Sequence, residues 1–161
     1  MKAFAKNPEM KSVMYDNILK GISRLLEGLF LLGNYKRYTD TLQTLREEQE
    51  KICNLSVNAE ILYHMVYYIG KLNRHFMDGT FAEGITMVRK VEQYLNKNRN
   101  SIDLHHRMLL YYKIACMYFG NGEHKKSMEY LQKVISIRDP LVRRDQQCYA
   151  RIPNMIAPCR A

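Results

Sequence analysis

The chain has 161 residues, 47% of them apolar, a net charge of +9, and only eight glycines and four prolines to interrupt it. That length can bury one hydrophobic core without metal or disulfide support, and the apolar content excludes a disordered chain. The four cysteines, Cys53, Cys116, Cys148 and Cys159, form no Cys-x-x-Cys pair, which argues against a zinc knuckle or a redox motif and for reduced, mostly buried thiols.

No stretch reaches the roughly eighteen consecutive apolar residues of a membrane-crossing helix, and the N-terminal segment has no apolar run of signal-peptide length. A soluble, cytoplasmic protein without membrane partners is the expectation. The charge grows along the sequence, from 8 basic against 7 acidic residues over 1–50 to 10 against 5 over 101–161. A basic surface of this kind attracts acidic peptides or nucleic acid, although no dense Lys/Arg block is present.

Taken in chain order, Asn7-Pro8-Glu9 opens a first helix with a capping residue, a first-turn proline and an acidic group. Its apolar face is Ile22, Leu25, Leu26 and Leu29, a three-and-four spacing that defines a helical stripe. Phe30-x-x-Gly33-x-Tyr35 then marks a turn, and Tyr38, Leu42 and Leu45 form a second stripe. Ser56 caps the next helix, with Tyr68, Leu72 and Phe76 on its face. Phe76-x-x-Gly79-x-Phe81 is the second turn, followed by Ile85, Val88 and Val91. The polar run Asn96-Lys97-Asn98-Arg99-Asn100 reads as a loop, and Asn100-Ser101-Ile102-Asp103 supplies the next cap.

Tyr111, Ile114, Ala115 and Tyr118 begin a third cycle, which turns at Phe119-x-x-Gly122-x-His124 and continues through Leu131, Val134 and Ile135. Asp139-Pro140 should end it, because proline pushes its predecessor out of helical geometry. Tyr149-x-x-Ile152 repeats the spacing of Tyr111-x-x-Ile114. Residues 142–158 therefore read as the first helix of a fourth unit, kinked at Pro153 and lacking its partner, as in a fragment of a longer array.

The chain is thus a repeat of helix, short turn and helix, with turn glycines at positions 33, 79 and 122. The third cycle, Tyr111-x-x-Ile114-Ala115-x-x-Tyr118, Gly122, Ser127-x-x-x-Leu131, Val134 and Asp139-Pro140, resembles the tetratricopeptide repeat. The first follows as Ile22, Leu25, Leu26, Leu29, Gly33, Tyr35, Tyr38, Leu42 and Leu45, and the second as Tyr68, Leu72, Gly79, Phe81, Gly84, Val88 and Val91. The glycine spacing exceeds the family's period of about 34 residues and also suits HEAT-type helix pairs, but the aromatic and small positions favour the tetratricopeptide pattern. Lys71 stands in a slot that is normally apolar.

The resemblance implies an all-α, right-handed superhelical solenoid of antiparallel helix pairs with about seven helices. Residues 1–161 would form a single array, with units at about 8–53, 57–97 and 101–138 and a partial fourth at 141–158. It implies a protein-interaction scaffold, binding a protein or peptide in a concave groove lined by the first helix of each unit. The family's groove positions fall on Lys20, Ser23, Glu27 and Phe30, on Ile69, Asn73 and Phe76, and on Tyr112, Cys116 and Phe119. Lys20 and Arg24 would favour an acidic peptide. Asn73 stands where the asparagine of the peptide-carboxylate clamp of some members lies.

Motifs that would carry other chemistry are weak. Gly120-Asn121-Gly122 with Lys125, Lys126 and Ser127 imitates a phosphate loop, but Lys125 stands where the second glycine is required and a helix, not a strand, precedes it. A helix-ending glycine is the better reading of Gly122. His64, His75, His105, His106 and His124 lack metal-ligand spacing, and neither serine nor cysteine has a catalytic context. No enzyme activity, cofactor or metal is expected. Tyr68, Tyr111 and Tyr118 belong to the core pattern, while Tyr63, Tyr67 and Tyr112 are free to face outward. The ten methionines would fill gaps between helices. An alternative function, as a nucleic-acid-binding or regulatory module, would use Arg138, Arg143, Arg144 and Arg151 in the basic C-terminal part.

Overall fold

The computed structural model describes residues 8–150, and among them every regular element is a helix. In chain order these are α1 (Pro8–Leu31), α2 (Tyr35–Glu47), α3 (Gln49–Cys53), α4 (Val57–Asp78), α5 (Phe81–Lys97), α6 (Leu104–Gly120) and α7 (His124–Ala150). Pro8 is the first helical residue, where its missing N–H costs nothing. Ser56 accepts from the Ala59 N–H to cap α4, and Asp103 accepts from the His106 N–H to cap α6. Asn7 lies outside the described residues.

α1, α4 and α6 are each followed by one of the marked turns. Gly33, Gly79 and Gly122 have φ of 65°, 67° and 79°, a left-handed geometry that a side chain resists and that closes the last carbonyls of a helix. Phosphate-loop geometry is absent here: Gly122 donates its N–H to the Phe119 carbonyl, and Glu123 donates to that of Tyr118.

α1 packs on α2 and α4, α4 also packs on α2, α3, α5 and α6, and α6 packs on α5 and α7. α4 is therefore shared by two cores. Its Ala59, Tyr63 and Val66 join Leu19, Leu26, Tyr38, Leu45 and Ile52 on one side. Its Ile61, Met65 and Leu72 join Val88, Val91, Leu110 and Ile114 on the other. Burying one such Leu or Ile contributes about 1.5–3 kcal/mol. Gly70 lets α4 approach α1 and α2, because a Cβ there would stand 2.8 Å from Leu42 Cδ1. Beside it the Tyr38 hydroxyl donates to the Gly70 carbonyl at 2.9 Å, and burial pushes the phenol up to about 12.

Several expectations are corrected. Asp139-Pro140 does not end a helix: α7 runs through both residues to Ala150. A proline removes one hydrogen bond of a ladder, and the remaining bonds of a 27-residue helix carry it across. Residues 141–150 consequently continue α7 instead of opening a fourth unit, and 151–158 lie outside the described residues. A short helix, α3, follows α2 after a break at Glu48, a feature with no mark in the apolar spacing. Leu25, Phe76 and Ile135, read as stripe residues, are 44%, 46% and 47% exposed, whereas Tyr63, read as outward, is fully buried. Tyr63 stacks on Tyr67, ring centroids 5.7 Å apart, beneath the helices that cover α4.

Candidate functional site

Aligning α1, α4 and α6 on their turn glycines puts their equivalent residues in columns, and all members of three columns except Phe119 line a groove. Ser23, Ile69 and Tyr112 occupy one; Glu27, Asn73 and Cys116 the next; Phe30, Phe76 and Phe119 the third. A cavity of about 220 Å³ is lined by Ser23, Glu27, Phe30, Ile69, Asn73 and Tyr112, among others. A second, of about 210 Å³, is lined by Phe30, Asn73, Phe76, Tyr112, Cys116 and Lys113. Phe30, Asn73, Tyr112 and Lys113 line both, so the two cavities adjoin.

Eight of the eleven residues expected in a groove are therefore brought together. Lys20, Arg24 and Phe119 line neither cavity. Lys20 and Arg24 are exposed on α1, and Phe119 is 65% exposed and stacks against His124, the rings 5.2 Å apart. Phe119 lacks what Phe30 has: the Phe30 ring meets that of Phe76 on the next first helix, 6.2 Å away.

The polar groups of the groove are few and distinctive. Asn73 is 5% exposed, and its carboxamide oxygen has no hydrogen-bond partner among the described residues. An orphaned buried acceptor costs about 1–3 kcal/mol, which a donor from a bound molecule would recover. Lys113 is half-buried, with its ammonium 4.9 Å from the Phe30 ring centre and 5.4 Å from that of Tyr112. Burial pulls its pKa below the ordinary lysine value, against the opposing effects of Cys116 and Glu27. Among the described residues it has no hydrogen-bonded acceptor and no ion pair. Burial raises the Cys116 pKa, so the groove presents a neutral thiol.

Lys113 is absent from the sequence expectation, yet a signal for it existed. On the glycine alignment it is the equivalent of Arg24, already noted as a basic residue near the groove. Leu109 and Gly70 also line the first cavity and were equally accessible by that alignment.

The other expected roles resolve locally. Tyr112 is 46% exposed, and Tyr67 is half-buried. His64 packs among Tyr63, Tyr68 and Tyr94, and burial lowers its pKa. His75 bonds Thr80, and His106 bonds Asp103. Cys53 and Cys116 are free thiols, and Cys159 lies outside the described residues. No group of three metal-ligating side chains occurs among the described residues, nor is any of their helices long and apolar enough to cross a membrane. Arg143 and Arg144 lie on α7, and Arg151 is outside the described residues.

What fold and site define together is, over the described residues, an all-helical protein with an aromatic groove shared by α1, α4 and α6. No family model, curated protein or solved structure matches it.

Proposed function

We propose that the chain is a tetratricopeptide-like interaction scaffold that holds an acidic peptide segment of a partner protein in the groove of α1, α4 and α6. The sequential packing of α1 on α4 and α4 on α6, each with its own following helix, supports a solenoid of helix pairs. The observation that carries the functional reading is the convergence of Phe30, Asn73, Tyr112 and Lys113 on both cavities.

Each of these groups has a task. Phe30, Phe76 and Tyr112 offer aromatic surface to an apolar side chain, the kind of anchor that dominates peptide affinity. Asn73 offers an unsatisfied acceptor to a peptide N–H. Lys113 offers a cation with no ion pair among the described residues, its pKa lowered by burial and nudged back up by Cys116 and by Glu27 of the same cavity, and Lys20 and Arg24 add positive potential along α1. A carboxylate of the peptide would replace water around Lys113 with a charge-assisted hydrogen bond.

A peptide array probed with the full chain and with an Asn73→Ala, Tyr112→Ala double variant tests this. Acidic peptides with one aromatic or aliphatic anchor are expected to bind the parent and to lose at least about tenfold in affinity for the variant. Equal binding by both proteins across the array would contradict the groove assignment.

A further inference from the structure

The face of α4 turned away from the groove carries a second feature that the interaction reading does not use. Tyr67, Lys71, Arg74 and His75 form a stripe on that face, and α2 and α5 wall it into a cleft of about 380 Å³. This volume is in the range of small-molecule sites.

The glycine alignment shows why the cleft is open. In α6 the equivalent stripe is Leu110, Ile114, Met117 and Tyr118, all buried. In α1 the positions of Lys71 and His75 are held by Leu25 and Leu29. The middle unit has therefore exchanged core-forming side chains for cationic and polar ones. A half-buried lysine in place of an isoleucine forfeits apolar burial, and nothing within the fold compensates: the Lys71 ammonium has no hydrogen-bond or ion-pair partner among the described residues.

The neighbouring charges are sorted. Arg74 is committed, its Nε 2.7 Å from Asp78 Oδ2 and its Nη1 donating to Thr39 Oγ1 at 2.6 Å. His75 Nδ1 lies 2.8 Å from Thr80 Oγ1. Arg46 on the α2 wall, like Lys71, has no ion-pair or hydrogen-bond partner among the described residues, and Glu83 is the carboxylate on the α5 wall. Two uncommitted cations thus line one cleft from two helices, together with the Tyr67 ring and with Gln43, whose amide donates to Glu47 at 2.9 Å.

We propose that this cleft binds a small phosphate-bearing molecule, its phosphate held between Arg46 and Lys71. A guanidinium fork and an ammonium on separate walls suit the several oxygens of a tetrahedral dianion. Tyr67 gives an organic portion an aromatic surface. The cations sit inside a cleft and not along a ridge, which favours a compact ligand over a nucleic-acid backbone.

Calorimetric titration of the full chain with inorganic phosphate, adenosine monophosphate and succinate, at matched low ionic strength, tests the assignment. Both phosphates are expected to bind more tightly than succinate. Adenosine monophosphate binding tighter than phosphate identifies an organic phosphate as the occupant, and equal affinity identifies the free ion. Arg46→Gln and Lys71→Leu are each expected to weaken binding roughly tenfold, while Asn73→Ala with Tyr112→Ala leaves it unchanged. Lys71→Leu restores the residue class of the register, and Lys71→Gln serves in its place should that variant not fold. Absence of binding by all three compounds, tighter binding of succinate, or equal affinity in the Arg46 and Lys71 variants would overturn the proposal.

Discussion

α4 and α6 each precede a turn glycine and pack on the helix that follows, yet they treat their outer stripes in opposite ways. α6 buries Leu110, Ile114, Met117 and Tyr118 against its neighbours, while α4 sets Tyr67, Lys71, Arg74 and His75 along an open cleft. Both helices keep the inward columns that make the groove. On α4 and α6 alike one face meets the groove, while the stripe turned away from it is open on α4 and buried on α6, so that stripe is where the two helices carry different chemistry.

Exchanging residue classes between the two helices breaks the comparison most strongly. Ile114→Lys places an ammonium at a position with no exposure, where an unpaired charge must be buried or the packing opened. It should cost on the order of 5 kcal/mol in urea unfolding, or abolish the cooperative transition. The converse, Lys71→Leu, should change stability by no more than about 1 kcal/mol, because the site is already half-open. Comparable costs for the two would show that the stripes are equivalent after all.

A smaller effect tests how α4 is fixed to the first pair. Tyr38→Phe removes the hydroxyl that donates to the Gly70 carbonyl and should destabilise the chain by about 1 kcal/mol in the same measurement. A similar loss is expected from Ser127→Ala, since Ser127 is buried and donates to the Ala115 carbonyl of α6 at 2.9 Å. Agreement between the two would show that the α2–α4 contact and the α6–α7 contact are pinned with equal strength by one buried hydroxyl each.

The smallest expected effect is on pH dependence. Burial lowers the His64 pKa from its ordinary value of 6.5, with Glu60 opposing more weakly. The unfolded chain therefore binds more protons than the folded one below 6.5, so the stability contributed by neutral His64 is complete above that pH. It is lost as pH falls from 6.5 through the lowered folded pKa. His64→Phe should flatten this acid limb; the buried Nδ1 has no partner to lose, and the Nε2 contact with Glu60 is a long one, at 4.0 Å. His75 is shifted in the same direction, chiefly by burial and then by Lys71, so part of the limb should persist. An unchanged limb in thermal unfolding between pH 5 and 7 would exclude His64 as a contributor.

Much of the helical framework was legible because it rests on local rules. Positive φ at the turn glycines, the caps at Ser56 and Asp103, and the stripes that bury Tyr38, Leu42, Leu45, Val88 and Val91 follow from residue type and spacing. The same rules misplaced Tyr63, because its burial depends on α1, α2 and α3 closing over α4 from distant sequence. They misplaced Leu25 and Ile135, which no helix covers among the described residues, and they ended α7 at a proline that the longer helix absorbs.

The groove was legible through the repeat register. Residue spacing alone could not show that Asn73 would be buried with an orphaned oxygen, or that Lys113 would stand over Phe30, because both facts need the crossing of three helices. Lys71 was visible as an irregularity of the pattern. Its meaning depended on where α2 and α5 stand.

The most direct test of the groove is nuclear magnetic resonance of the isotopically labelled full chain, titrated with the tightest acidic peptide from the array. The largest perturbations are expected on Phe30, Asn73, Phe76, Tyr112 and Lys113, with intermolecular contacts from a peptide side chain to the Phe30 and Tyr112 rings. Perturbations confined to α7 or to the opposite face of α4, with the groove resonances unmoved, would contradict it.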